Sequence, residues 1–329
     1  MSQGWVLLGD LNGQDLVLAL TRPGETPVSH EIVACNSLQE LQGALERKLK
    51  GLKRDELIGA AISAAGPLID GAIEITATGL HMSQRWLRHV LQTPRVYLLN
   101  DLAAVALGAG RVPESQLNRL RSAEGDPTAA ISVIGLGLGL GVAGLVPHGG
   151  GEWVSVPSEA GHTDFFPNGP RETAIFEAIG RHRGDTAAER VLSRSGLSDI
   201  YLVLRYGPEA IGDEIADHIV REAAQGDKHA AEAISIFSGM LGAFAGNMAL
   251  TFAARGGVYL NSRLVTDMDV QFDQVAFEDR FTAKGRMSAY VSGVPVMLMA
   301  GRPVLLGLSS LFSPSDRRYG ATDVTFLDC

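Results

Sequence analysis

The stretch Val96-Tyr97-Leu98-Leu99-Asn100-Asp101-Leu102-Ala103-Ala104-Val105-Ala106-Leu107-Gly108 decides the class of fold. Four apolar residues in a row, cut off from the helical pattern before them by Pro94, predict a buried strand over 96–99. A polar pair ends it, and the small apolar residues that follow predict a helix over 102–108. A strand running straight into a helix, repeated along the chain, is the mark of an α/β layer architecture. Asp101 then lies at the carboxyl end of a strand, where open α/β sheets bind ligands, placed to take a proton from a substrate hydroxyl. Taken alone, it reads equally well as the N-cap of the helix.

Working outward toward the N-terminus, residues 83–92 predict a helix with Trp86, Leu87, Val90 and Leu91 spaced for burial, and residues 57–62 a strand closed by the turn Ala64-Ala65-Gly66-Pro67. Ser37-Leu38-Gln39-Glu40 is a capping-box pattern, opening a helix with Leu38, Leu41, Leu45 and Leu49 on one face. The first twenty residues predict a hairpin, with strands over 5–8 and 16–20 around a turn beginning at Gly9-Asp10. In the other direction, residues 111–128 are polar and read as a domain boundary. A second hairpin follows over 129–146, with Gly135, Gly137, Gly139, Gly141 and Gly144 among leucines; its period-two alternation argues against a membrane helix of the same length. A loop is expected over 148–170. Helices are expected near 172–181, 187–194, 208–224, 228–255 and 303–312, and strands over 258–260 and 294–299. The helix near 228–255 is apolar nearly all round and so central. No periodicity marks residues 313–329.

The 329 residues are 46% hydrophobic and 20% charged, with 39 glycines and a net charge of −9. Such a chain buries a substantial core, and its length fits two domains. The acidic balance offers no basic stripe for a nucleic-acid backbone. Cys35 and Cys329 form neither a disulfide framework nor a metal knuckle, and Met1-Ser2-Gln3-Gly4-Trp5 lacks the basic opening of a secretory signal. The expectation is a cytoplasmic protein with no nucleic-acid or membrane partner.

Three further groups of residues carry chemistry. Gly9-Asp10-Leu11-Asn12-Gly13-Gln14 and residues 135–141 are glycine turns whose backbone N–H groups can cradle phosphates, with the Asp10 carboxylate able to hold Mg²⁺ directly or through water; each is equally a plain structural turn. Glu159-Ala160-Gly161-His162 occurs once, in a loop, which argues against a di-iron site and for recognition of adjacent sugar hydroxyls, or for a solvated loop. Glu189, in Ala187-Ala188-Glu189-Arg190-Val191-Leu192-Ser193, reads in isolation as an ordinary helix glutamate.

In order and spacing these segments resemble the bacterial glucokinase family, whose members carry Gly-Asp-x-Gly-Gly-Thr-Asn, Asn-Asp after a strand, Gly-x-Gly-Thr-Gly-Leu-Gly-Val-Ala, Glu-x-Gly-His and Ala-Glu-x-Val-Leu-Ser. The resemblance runs from Gly9-Asp10 to Leu305-Leu306-Gly307. It implies a two-lobed actin-like ATPase (ribonuclease H-like) fold of the sugar-kinase type, with a small α/β lobe of residues 1–111 plus 303–312, a large lobe of 112–302, a tail of 313–329, and a homodimer. It implies ATP-dependent phosphorylation of glucose at O6 with Mg²⁺. Asp101 is then the general base, and Asn100, Glu159, His162 and Glu189 join it in holding the sugar.

On the nucleotide side the resemblance points to Asp10, Gly13, Gln14, Gly137, Leu138, Gly139, Asn261 and Ser262. Here the chain departs from the pattern. Asn12 and Gln14 replace glycine and threonine, Asp15 adds a charge, Leu138 replaces threonine, and Asn261-Ser262-Arg263 replaces Ala-Gly-Gly. Thr76-Ala77 likewise stands where the family often has Thr-Asn. Lost hydrogen bonds and like-charge repulsion together lower the expected ATP affinity by roughly two to four decades, with Arg263 a candidate for partial compensation. The alternatives are a glucose-binding protein without catalysis and a kinase that uses another phosphoryl donor.

Overall fold

The computed structural model describes residues 4–23, 25–75, 78–149, 151–212, 215–313 and 319–321. Thr76-Ala77, Cys329 and most of the tail lie outside them. The chain forms two compact units, one of Met1–Gln116, Ala143–Pro157 and Ala300–Cys329, the other of Leu117–Val142 and Ser158–Met299.

The chain begins with β1 (Trp5–Asn12), β2 (Asp15–Thr21), β3 (Glu31–Ala34), α1 (Leu38–Lys48), β4 (Leu57–Ala64), β5 (Leu68–Ile69), β6 (Ala72–Ile75), β7 (Leu80–Ser83), α2 (Gln84–Leu91), β8 (Val96–Asn100) and α3 (Asp101–Ala109). Next come β9 (Leu117–Arg121), β10 (Ile131–Leu136), β11 (Leu140–Pro147), β12 (Trp153–Ser158), α4 (Gly169–Arg183), α5 (Ala188–Val191), α6 (Arg194–Tyr206), α7 (Ala216–Ala224) and α8 (Lys228–Thr251). The last elements are β13 (Gly257–Asn261), α9 (Arg263–Met268), α10 (Gln274–Thr282), α11 (Ser288–Ser292), β14 (Val296–Met299), α12 (Pro303–Ser310) and β15 (Tyr319–Ala321). Strand orders are β3-β2-β1-β4-β8, β5-β6-β7 and β15-β12-β11-β10-β13-β14-β9.

In the first unit, β1 pairs antiparallel with β2 and parallel with β4, which pairs parallel with β8. Apolar residues of α1 and these strands, among them Leu7, Leu11, Leu18, Leu41, Leu45, Ile62 and Leu98, close the core. The expected turn at Gly9-Asp10 is corrected. Both residues sit inside β1, held between Leu18 and Val17 of β2 and Ile62 and Ser63 of β4. Pairing on both flanks supplies partners for the backbone and carries the strand on to Asn12. The chain reverses at Gly13-Gln14 instead, where Gly13 has φ 62°, the left-handed first position that a two-residue hairpin favours.

Two close helix crossings shape the units. A Cβ at Gly108 of α3 would lie 2.0 Å from the Pro303 carbonyl oxygen, and one at Gly307 of α12 would lie 1.8 Å from the Ala104 carbonyl oxygen. The two helices therefore meet backbone to backbone along the helix that Asp101 opens. In the second unit, Gly242 lets α8 approach the Phe277 carbonyl of α10 in the same way. Helix α8 is long and apolar enough to cross a membrane by length and composition, yet 78% of its most apolar window is buried inside the fold. It is the core helix of its unit, packing Phe237, Met240 and Phe244 with Phe277 and Phe281.

The sequence reading also misses elements. The polar boundary region contains β9, the supposed loop over 148–170 contains β12, and α6 follows α5 almost at once. The helix expected near 208–224 is the shorter α7, and Asn100, one residue before Asp101, is the cap of α3.

Candidate active site

In the first unit the predicted residues gather at the ends of β1 and β8. Asp10 points from β1 into the fold, only 6% exposed. Its partner is Ser63, directly opposite on β4, whose hydroxyl donates to Asp10 Oδ1 at 2.7 Å. Burial pushes the Asp10 carboxyl up to about 7; the Ser63 hydrogen bond pulls it down, the negative charge of Asp101 raises it further, and Arg302 lowers it. Asp10 and Asp101, ninety-one positions apart in sequence, are thus electrostatic neighbours. Arg302, the N-cap of α12, is the cation whose charge acts on Asp10, and it also donates through Nε to His30 Nε2 at 3.1 Å.

Asn100 is held on all sides. Its Oδ1 accepts from the Leu102 and Ala103 N–H groups at 2.9 and 3.1 Å, and its Nδ2 donates to the Gly66 carbonyl at 3.0 Å. One amide hydrogen remains to offer to a ligand. Asp101 is the first residue of α3, with Oδ1 accepting from the Leu102 N–H at 2.9 Å. The N-cap role that the sequence offers to Asp101 thus belongs to Asn100.

A hard divalent cation fits here. A buried carboxyl whose proton is retained through burial and a neighbouring carboxylate is one whose ionised form a cation would favour. Among the described residues no cluster of three or more His, Cys, Asp or Glu could hold a metal alone. A Mg²⁺ at Asp10 would therefore complete its shell with water and phosphate oxygens, its usual habit at phosphoryl-transfer sites.

In the second unit, Glu159, His162 and Glu189 are brought together by backbone. Glu159 caps a single 3-10 turn that ends in His162, with His162 Nε2 3.8 Å from Glu159 Oε2 and both side chains more than half exposed. That turn is stitched to the segment before Glu189 by an Asp164–Ala187 bridge and by the N–H groups of Phe165 and Ala188, which donate to the Thr186 and Thr163 carbonyls. Glu189 Oε2 accepts from the N–H of Leu140, the residue just after the second glycine turn, at 2.9 Å. Gly161 leans on the same residue: a Cβ there would lie 1.8 Å from the Leu140 carbonyl oxygen.

The residues of this unit expected on the nucleotide side leave one end of its sheet. β10 and β13 run parallel with Gly135 opposite Asn261, so the turn Gly137-Leu138-Gly139 and the pair Asn261-Ser262 leave the same carboxyl ends. Leu138 is 77% exposed. Ser262 caps α9, accepting from the Val265 N–H at 3.2 Å. Arg263 is engaged with Asp267 on its own helix at 2.7 Å, so its compensating role finds no support. Gly13 and Gln14 form the turn of the first unit's hairpin, with the Gln14 carbonyl accepting from the Cys35 N–H. Ser63, Arg302 and the Leu140 amide are contributions that sequence reading missed. Only the pairing register and the folded loops reveal them.

A mixed sheet whose parallel strand β8 runs into Asn100-Asp101, a buried acidic residue on the first hairpin and a second glycine hairpin belong to the actin-like fold of the sugar-kinase type. The sequence profile of the glucokinase family matches residues 7–314. The chain is 51% identical over 319 residues to a glucokinase-like protein of Caulobacter vibrioides, covering 97% of this chain and all of that one. It is 37% identical to a glucokinase of Chromobacterium violaceum, over 92% and 88% of the two chains. The fold is that of the glucokinase of an Antarctic psychrotroph, with a TM-score of 0.81 at 23% identity over 93% and 98% of the chains. The chain belongs to the glucokinase family.

Proposed function

We propose that this hexose kinase transfers the γ-phosphoryl group of ATP to O6 of glucose, with Asp101 as general base. The observation that carries the reading is the meeting of two carboxyl groups of opposite character in one unit, Asp10 on β1 and Asp101 just past β8, with only β4 between the two strands. Asp10 is buried and suited to a cation, whereas Asp101 is partly exposed at a helix start and separate from the cap. Asp101 accepts the hydroxyl proton as the oxygen attacks, and Asn100 fixes the strand-to-helix turn that aims it. Glu159, His162 and Glu189 hold the other hydroxyls, so that the reacting one is presented in a single orientation. Mg²⁺ at Asp10, when bound, supplies charge neutralisation on the phosphates. The family and the name of the Chromobacterium relative support glucose as acceptor.

The test is a coupled assay with glucose and Mg-ATP beside calorimetry with each ligand. Asp101→Asn is expected to cut kcat by at least about a thousandfold, in the range of lost base catalysis and orientation combined, with glucose affinity changed severalfold at most. Full turnover in that variant would sink the assignment. A second reading, a hexose binder with little or no catalysis, rests on the nucleotide side: the exposed Leu138 and the Ser262 hydroxyl already used as a cap leave fewer polar groups for ATP. Tight glucose binding without detectable ATP binding by the unaltered protein would favour it. Turnover with polyphosphate but not ATP would mark a different donor.

A further inference from the structure

We propose that Glu189 is a positioning residue for the second glycine hairpin, and that through it hexose binding strengthens nucleotide binding. The coupling half of this inference rests on the reading of Glu189 as a hexose contact and of the hairpin as a phosphate turn; the positioning half does not.

The turn Gly137-Leu138-Gly139 closes on itself through the Gly137 N–H, which donates to the Gly139 carbonyl at 2.9 Å. Both of its flanks are then gripped by one short segment. At the near end the Arg194 N–H donates to the Gly137 carbonyl at 2.9 Å; at the far end the Leu140 N–H donates to Glu189 Oε2 at 2.9 Å. The grip is close. A Cβ at position 139 would stand 2.6 Å from that carboxylate oxygen, so any residue but glycine there would make the carboxylate shift.

The two contacts differ in kind. The one at Arg194 joins backbone to backbone and persists whatever the side chain, whereas the one at Glu189 depends on a side-chain rotamer that a ligand can influence. An ionised carboxylate has about four acceptor positions. The Leu140 amide takes one, and hexose hydroxyls can take others without displacing it. A hydroxyl bound there narrows the rotamers of Glu189 and with them the position of the Leu140 amide, so the hairpin is already ordered when phosphate arrives. The Glu159–His162 turn, resting on the Leu140 carbonyl through Gly161, acts on the same peptide from its other side. Coupling of this type is reciprocal: the factor by which hexose tightens nucleotide is the factor by which nucleotide tightens hexose.

The test compares Glu189→Ala, Glu189→Gln, Glu189→Asp and Glu159→Ala in the full chain. Amide hydrogen exchange over residues 136–141, without ligand, reads the hairpin directly; calorimetry with Mg²⁺ and the non-hydrolysable analogue AMP-PNP, with and without glucose, reads the coupling. Glu189→Ala is expected to speed exchange at the hairpin by about tenfold or more and to weaken sugar-free AMP-PNP binding by about threefold to tenfold. Glu189→Asp, whose carboxylate is drawn back by one methylene, should behave the same way and covers the case in which alanine disturbs folding. Glu189→Gln keeps an acceptor for the amide and should keep both properties. Glu159→Ala should lose glucose affinity but leave exchange and sugar-free AMP-PNP binding as they are. In the unaltered protein glucose should tighten AMP-PNP by about fivefold, and in Glu189→Ala not at all. Unaltered exchange and sugar-free AMP-PNP binding in both the alanine and aspartate variants would overturn the proposal, reducing Glu189 to a sugar contact. Absence of AMP-PNP binding in the unaltered protein would defeat the kinase reading and the coupling together, while the exchange data would still decide the positioning role.

Discussion

Asp10 holds its carboxyl group 6% exposed against a single hydroxyl, and burial pushes it up to about 7. A folded value above the unfolded one means that the native state binds the extra proton between about pH 4 and pH 7. Stability contributed at low pH is therefore lost as pH rises through 7. The shift corresponds to about 4 kcal/mol at most, since each unit is worth about 1.4 kcal/mol. Asp10→Asn keeps an oxygen for the Ser63 hydroxyl and removes the titration. In EDTA, its melting temperature is expected to exceed that of the unaltered protein by several degrees near pH 8, with the gap closing toward pH 4. An equal gap at both pH values would show that Asp10 does not titrate in this range. The sequence singled out Asp10 by type and neighbours. It held no sign of Ser63, because that contact depends on the register of two strands fifty residues apart.

At the scale of elements, glycine in a helix has opposite consequences according to what faces it. Gly307 of α12 has the Ala104 carbonyl oxygen 1.8 Å from where a Cβ would stand, whereas Gly43 of α1 meets only the mobile end of Arg47, at 3.3 Å. Gly307→Ala must part α3 from α12 and is expected to cost about 2–3 kcal/mol or more. Gly43→Ala adds helix propensity and asks only a small shift of the flexible Arg47 end, so it should gain about 0.5–1 kcal/mol. Denaturant unfolding of the two variants gives the sign of each, and a Gly307→Ala protein as stable as the parent would contradict the backbone contact. Elements whose pattern is local were legible in sequence: the Ser37 cap and leucine face of α1, the strand before Asn100, and the second hairpin. Those defined by partners were not. β9 is a short polar edge strand that exists because β14 lies beside it. The sequence points to a first turn four residues too early because glycine and aspartate resemble turn residues until strands on both sides claim them. The residues proposed to hold the sugar stand out in the sequence only through the order of their motifs. Glu189 reads as an ordinary helix glutamate, and its bond to Leu140 crosses forty-nine positions.

For the molecule as a whole, what matters is how the two halves of the proposed chemistry compare. The residues proposed to hold glucose are all present, on backbone fixed by the Asn100 cap and by the stitching of 159–165 to 186–188. On the proposed nucleotide side, glycine turns remain, but Leu138 offers only its backbone and Ser262 has its hydroxyl engaged. A ligand that binds only the folded state stabilises it by mass action, by about 2.7 kcal/mol at a hundred times its Kd. Over a chain of 329 residues that corresponds to a rise of about 4 °C in melting temperature. At equal millimolar concentrations, glucose is therefore expected to raise the melting temperature by several degrees and Mg·AMP-PNP by about a degree or less, with the nucleotide shift growing when glucose is already present. Differential scanning fluorimetry with each ligand alone and with both gives the comparison. A nucleotide shift equal to that of glucose would mean that the backbone amides of the two hairpins suffice for ATP, and that Gln14, Leu138, Asn261 and Ser262 do not weaken its binding.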